Sequence, residues 1–91
     1  MLIRSQNKEL LVNFNVSTGI EIEERNTKTV VTSYITGCSY LLGEYSTKAK
    51  SMKVLDMIQE AYERYEYEKV FKTGLTLFET FQIPEDSEVG A

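Results

Sequence analysis

Histidine and tryptophan are absent from this chain of 91 residues, and cysteine and proline occur once each, as Cys38 and Pro84. Histidine is the side chain best suited to proton transfer near neutral pH and is the commonest metal ligand. Its absence excludes the usual hydrolase triads and most zinc sites. A single cysteine excludes an internal disulfide framework, which is typical of proteins in a reducing cytoplasm.

Long apolar runs are also absent. The N-terminus turns polar at Arg4, after three apolar residues, so we expect neither a signal peptide nor a membrane span, and a cytoplasmic location. The length predicts one domain, and 42% hydrophobic residues suffice for a core. A domain this small is marginal alone, and self-association is a common remedy. A net charge of −4 disfavours nonspecific nucleic-acid binding.

Alternating apolar residues indicate short strands in the first half of the chain. The patterns predict strands over 10–16, 20–23, 29–36 and 40–45, with a shorter one near 2–5. Turn residues separate them, among them Asn26 and Gly37. This order favours an antiparallel β-meander of four to five strands.

Two of these strands carry apolar residues on both faces. Val31 and Ile35 alternate with Val30 and Tyr34 in one of them. In the other, Tyr40 and Leu42 share a face opposite Leu41 and Tyr45. Such strands lie centrally in a sheet that is covered on both faces, or at an interface. Since one helix covers one face, we expect another molecule to cover the second.

The period changes from two to about 3.6 after Tyr45. Apolar residues recur at helical spacing from Met52 to Tyr65, and Ser46 or Thr47 is a suitable N-cap, so a helix is predicted from about 47 to 69. A last strand is predicted over 75–83, ending at Pro84. The sequence therefore predicts an α+β fold, with the meander, one long amphipathic helix packed on one face, and a C-terminal strand. The domain spans 1–84, and 85–91 is expected to be a polar, flexible tail.

Four segments carry a resemblance to known proteins, which are Ile3-Arg4-Ser5-Gln6, Leu42-Gly43-Glu44-Tyr45-Ser46-Thr47, Val54-Leu55-Asp56-Met57-Ile58 and Pro84-Glu85-Asp86. Through them the chain resembles a family of small uncharacterised bacterial proteins that are often encoded by phages and integrating mobile elements. The family has no assigned activity, so the resemblance implies a bacterial mobile-element origin and no site residues.

No set of residues indicates catalysis. Glu21, Glu23 and Glu24 could offer oxygen ligands to Ca²⁺ or Mg²⁺, but they follow a strand pattern rather than a glycine-containing loop, so we interpret them as a solvated strand face. No spacing matches a nucleophile elbow, a phosphate-binding glycine loop or a metal-ligand motif. We therefore expect no enzyme activity, no cofactor and no metal.

The charges of the helix are ordered against its dipole. Lys48, Lys50 and Lys53 occupy the N-terminal half, whereas Glu60, Glu63, Glu66 and Glu68 occupy the C-terminal half. Two such helices packed antiparallel would place each lysine half against the other's glutamate half, as a twofold dimer does.

These observations favour an interaction or assembly protein that self-associates. The hypothetical interface combines the doubly apolar strands, the tyrosines and the helix lysines: Val31, Tyr34, Ile35, Tyr40, Leu42, Lys50, Lys53, Tyr62 and Tyr65. An acidic regulator of nucleic-acid-related processes, acting by weak DNA contact or on a DNA-binding protein, is the alternative, and strand addition of a peptide at a free sheet edge stays open. The sequence does not indicate whether the C-terminal strand pairs within the chain or with a neighbouring chain.

Overall fold

The fold is α+β and contains one helix and two small sheets. The computed structural model describes residues 1–71 and 80–90. The strands are β1 (Leu2–Arg4), β2 (Leu11–Asn13), β3 (Gly19–Arg25), β4 (Lys28–Ile35), β5 (Cys38–Tyr45) and β6 (Thr80–Gln82), and the helix α1 is Lys48–Phe71. One sheet has the order β2-β1-β6 and the other has the order β3-β4-β5.

The predicted meander of four to five strands is wrong in extent, because the observed meander has three strands, β3 to β5. The predicted strand over 10–16 is cut short by a 3₁₀ turn at Phe14–Val16. The side chain of Asn13 accepts a hydrogen bond from the backbone N–H of Asn15 at 3.0 Å, which favours the turn over a continued strand. The chain therefore leaves the first sheet before β3 begins.

The C-terminal strand closes the smaller sheet. β6 pairs parallel with β1, with Phe81 opposite Ile3, while β1 pairs antiparallel with β2. This confirms the predicted C-terminal strand over residues 80–82, and residues 75–79 of that prediction lie outside the described residues. β6 thus pairs within the chain, with a strand that lies nearly 80 positions earlier in the sequence.

The helix begins close to the position that the sequence predicts. The hydroxyl of Thr47 accepts a hydrogen bond from the backbone N–H of Lys50 at 3.2 Å, which satisfies one of the free donors of the first turn. Ser51, Val54, Ile58 and Ala61 form the buried stripe of α1 and face the β3–β5 sheet. The core between the helix and both sheets includes Ile3, Val31, Leu42, Tyr45 and Ile83.

A β-bulge reverses the predicted facing of Tyr45. Val31 is opposite Gly43 and Thr32 is opposite Leu41, so Leu42 has no partner in the ladder. The extra residue shifts the alternation by one position. Tyr45 consequently lies on the helix side with Tyr40, and it is only 1% exposed, whereas the sequence pattern places the two tyrosines on opposite faces.

The second face of the β3–β5 sheet is covered in part by the chain's own side chains. Val30 and Thr32 are 1% and 3% exposed, yet Val30 is not part of the main core cluster. Their cross-strand neighbours include Glu21, Glu23 and Glu44, whose aliphatic stems flank the smaller side chains. Leu41, opposite Thr32, is 43% exposed, and cover of this face by another molecule stays a prediction.

Candidate interaction surface

Residues 83–90 form a C-terminal clip against the start of α1. Their 3₁₀ turn, Asp86–Glu88, precedes Val89, which is 6% exposed and belongs to the core. Lys50 donates to the backbone oxygen of Asp86 at 3.0 Å, and Lys53 donates to that of Gly90 at 2.8 Å. The structure thus differs from the predicted flexible tail over 85–91, because a buried valine and two lysines hold the described part in place.

Asp86 ties the clip to the chain just before the helix. Its carboxylate accepts hydrogen bonds from the backbone N–H of Ser46 at 2.8 Å and from the Ser46 hydroxyl at 3.0 Å, and it lies 3.4 Å from Lys50 Nζ. The bond from the Ser46 backbone is the main reason that the pKa of Asp86 lies below its usual value. The Ser46 hydroxyl and Lys50 act in the same direction, while partial desolvation opposes them.

Tyr45 anchors the clip from beneath. Its hydroxyl donates to the backbone oxygen of Pro84 at 2.7 Å, and the side-chain amide of Gln6 donates to the same oxygen at 3.2 Å. Burial raises the pKa of Tyr45, and the nearby carboxylates of the clip, Glu85 first, raise it further. The phenol is therefore a fixed hydrogen-bond donor rather than a proton-transfer group.

The opposite flank of α1 is open and borders an apolar groove. Helical spacing places six side chains along this open flank: Lys48, Met52, Leu55, Gln59, Tyr62 and Glu66. Met52 is 45% exposed, which is unusual for a residue in the apolar stripe that the sequence predicts. The clip therefore covers one side of the helix and leaves the other side accessible.

The groove lies between the open flank, the 3₁₀ turn after β2, and the beginning of β3. It has a volume of about 370 Å³, and its apolar lining is Phe14, Ile20, Leu55, Ile58 and Tyr62. The ring centroids of Phe14 and Tyr62, which both line the groove, are 4.7 Å apart. Grooves of this size with an apolar lining are common binding sites.

Polar side chains surround the apolar lining. Gln59 donates to Glu63 at 3.0 Å, and a hydrogen bond to Glu66 raises the pKa of the Tyr62 hydroxyl. An apolar centre with a polar rim is the usual organisation of a protein interface.

The sequence-predicted interface residues do not form one surface. Val31 and Leu42 are buried in the core, and Ile35, Tyr40 and Tyr65 are half-buried against it. Tyr34 lies on the second face of the sheet and donates to Glu21 at 2.9 Å. Lys50 and Lys53 hold the clip, so Tyr62 is the predicted residue that lines the groove.

Sequence reasoning missed Phe14, Ile20, Met52 and Leu55 as surface residues. All four match apolar periodicities, which indicate a core face without showing where the core ends. The signal that could have marked Met52 and Leu55 is their helical spacing from Lys48 and Gln59, which places them at the polar margin of the apolar stripe.

No protein-family model matches the chain, and no curated protein and no solved structure matches it either. In the part of the chain that the structure describes, no helix is both long and apolar enough to cross a membrane. Among residues 1–71 and 80–90, no three side chains of the metal-ligating types come together as a cation site.

Proposed function

We propose that this protein is a non-enzymatic interaction protein that self-associates through the open flank of α1. The observation that carries the proposal is the apolar groove, flanked by exposed Met52, on the one side of the helix that the clip leaves uncovered. The occupant we propose is the open flank of a second copy of the chain. Twofold symmetry makes one patch serve both partners.

Antiparallel packing of two open flanks gives complementary pairs. With the axis midway between Leu55 and Gln59, Leu55 lies opposite Gln59 of the second copy, and Met52 lies opposite Tyr62 of the second copy. Lys48 then lies opposite Glu66 of the second copy. Each pair occurs twice, so the arrangement buries the apolar centre and joins opposite charges at both ends.

The order of charges along α1 supports this arrangement in a modified form. The clip holds Lys50 and Lys53 through backbone oxygens, which offsets much of the misfit with the helix dipole inside one chain. Lys48 is exposed on the open flank and is the N-terminal lysine that faces a second copy. In the acidic C-terminal half of α1, Glu66 is the residue that lies opposite Lys48 of the second copy.

Two methionines of similar exposure provide a matched test. Met52 is 45% exposed on the open flank and Met57 is 38% exposed on the other side of α1. We expect sedimentation velocity to show a concentration-dependent dimer for the unchanged chain and for Met57→Glu, and a monomer for Met52→Glu, because the new carboxylate would be buried against the Tyr62 ring of the second copy, one helical turn from its Glu66. A monomer for the unchanged chain at millimolar concentration would refute self-association, and equal effects of both substitutions would refute the assigned flank.

The alternative function, as an acidic regulator of nucleic-acid-related processes, has weaker support. Direct DNA contact would use Lys48, Lys50 and Lys53, and two of these are held by the clip. The cytoplasmic location and the mobile-element origin stay predictions from the sequence. Genomic neighbours of the gene would test the latter.

A further inference from the structure

The outer edge of β3 is unpaired in the part of the chain that the structure describes. β3 is seven residues long and pairs with β4 alone, at the end of the β3-β4-β5 sheet. An unpaired edge presents backbone N–H and C=O groups that can accept a further strand. Natural proteins protect such edges with charged side chains, lysine above all, with proline or with very short strands. β3 has neither a lysine nor a proline, and three of its four charged residues are glutamates, which repel acidic strands and not basic ones.

The two faces of β3 differ in chemistry. Ile20 and Ile22 are half-buried on the helix side, and Ile20 lines the apolar groove. Glu21 and Glu23 are exposed on the opposite face. A strand added at this edge continues the same alternation, so it needs apolar side chains toward the groove and side chains that match carboxylates on the other face.

The carboxylates disfavour pairing of β3 with β3 of a second copy. In the antiparallel register centred on Ile22, Glu21 lies opposite Glu23 of the other copy, and like charges directly opposite each other are destabilising. In that register the edge disfavours pairing with itself, and basic side chains match it better.

We propose that β3 binds an extended segment of another protein by strand addition, and that this segment alternates lysine or arginine with aliphatic residues. The basic side chains would pair with Glu21 and Glu23. Glu21 now accepts a bond from Tyr34, and Glu23 lies 3.2 Å from Arg25, but both contacts are exposed and can be exchanged for a partner's cation. The aliphatic side chains would enter the groove beside Ile20 and Leu55.

The probe is a synthetic peptide that alternates lysine with valine and matches the seven residues of β3. Binding is measured by amide hydrogen exchange of the protein and by titration of amide chemical shifts. We expect slowed exchange at alternate amides of 19–25, a dissociation constant that rises with salt, and about tenfold weaker binding to Glu21→Gln/Glu23→Gln, from two exposed charge pairs. Glu60→Gln is the matched control, since Glu60 is exposed on the side of α1 away from Ile58, and it should leave binding nearly unchanged.

A peptide of the same sequence with alternate backbone nitrogens methylated separates strand addition from simple charge attraction. It keeps every side chain but cannot donate to the β3 edge, and we expect its binding to be lost. Equal binding of the methylated peptide, or exchange effects away from β3, would overturn the proposal. The proposed dimer and the added strand both use the groove, so peptide binding is measured at protein concentrations where the chain is monomeric. Loss of peptide binding there would overturn strand addition alone, whereas absence of a concentration-dependent dimer would overturn self-association alone.

Discussion

Replacing Tyr45 with phenylalanine tests how the clip is held. The ring is 1% exposed in the core, and Tyr45→Phe keeps that packing while it removes the hydroxyl that donates to Pro84 O at 2.7 Å. The backbone oxygen of Pro84 keeps a second donor, the side-chain amide of Gln6 at 3.2 Å, so this acceptor still has a hydrogen-bond partner. We expect a loss of about 1 kcal/mol in the free energy of unfolding, the usual net value of one hydrogen bond.

Urea unfolding followed by circular dichroism measures this loss, with an unchanged m-value showing that the folded and unfolded states keep their surfaces. For a domain of this size, about 1 kcal/mol corresponds to a fall of roughly 4–8 °C in melting temperature. Tyr34→Phe is the matched control, since its hydroxyl bonds to Glu21 on the exposed sheet face, and we expect little change.

A double-mutant cycle sharpens the same prediction. In Tyr45→Phe/Gln6→Ala, Pro84 O loses both donors, and a buried acceptor without a partner costs about 1–3 kcal/mol. The double variant should therefore lose more stability than the sum of the single losses. A neutral Tyr45→Phe, or strict additivity in the cycle, would refute the assignment of Tyr45 as the anchor of the clip.

Three further predictions concern single positions. Gly43→Ala should cost about 1–3 kcal/mol in urea unfolding, because a Cβ would lie 3.0 Å from a methyl of Ile83, whereas Gly19→Ala, with nothing within 4 Å, should be nearly neutral. Thr36 has a φ of 46° in the turn before Gly37, a conformation that asparagine adopts more readily than threonine. Thr36→Asn should therefore raise the free energy of unfolding by about 1 kcal/mol, and the melting temperature with it; a lower melting temperature would contradict strain at Thr36. Because the pKa of Asp86 is lowered in the folded chain, the stability that its carboxylate adds is present above the usual aspartate pKa and is lost as pH falls through the lowered pKa. Asp86→Asn should remove this part of the acid dependence of clip docking, which the chemical shift of the Ser46 amide reports.

Local periodicity predicted the elements of this fold well. The helix expected over 47–69 is observed over Lys48–Phe71, because one apolar side at helical spacing and a Thr47 cap are both local signals. The strand near Leu2 and the paired strands β4 and β5 follow from alternation in the same way. Such patterns report on neighbours a few residues apart.

Long-range pairing was not predictable from those patterns. Alternation in β1 and β6 does not indicate that they pair in parallel in a second sheet. The bulge at Leu42 depends on cross-strand register, and it shifts Tyr45 to the helix side of the sheet. The polar composition of 85–91 likewise predicted a loose tail. The pattern could not show the contacts that hold Asp86, because they are with residues some 40 positions away.

The interface predicted from the sequence and the surface proposed from the structure share chemistry more than position. The sequence indicated an apolar surface on the helix and opposed charges along it, and both enter the proposed dimer. It did not show which flank is open, because that depends on where the clip docks. Val31 and Leu42 were assigned to an interface because strands with two apolar faces need cover, but both are buried inside the chain, in the core cluster that includes Val54 and Ile58 of α1.

Zero-length cross-linking of isotopically mixed copies tests the proposed assembly most directly. Lys48 and Glu66 are 18 positions apart on one helix, which is about 27 Å, so a direct amide between them cannot form within one chain. The account predicts a Lys48–Glu66 cross-link that joins a light copy to a heavy copy and disappears in Met52→Glu. Abundant monomer without this cross-link, or inter-copy links that join other surfaces and persist in Met52→Glu, would contradict it.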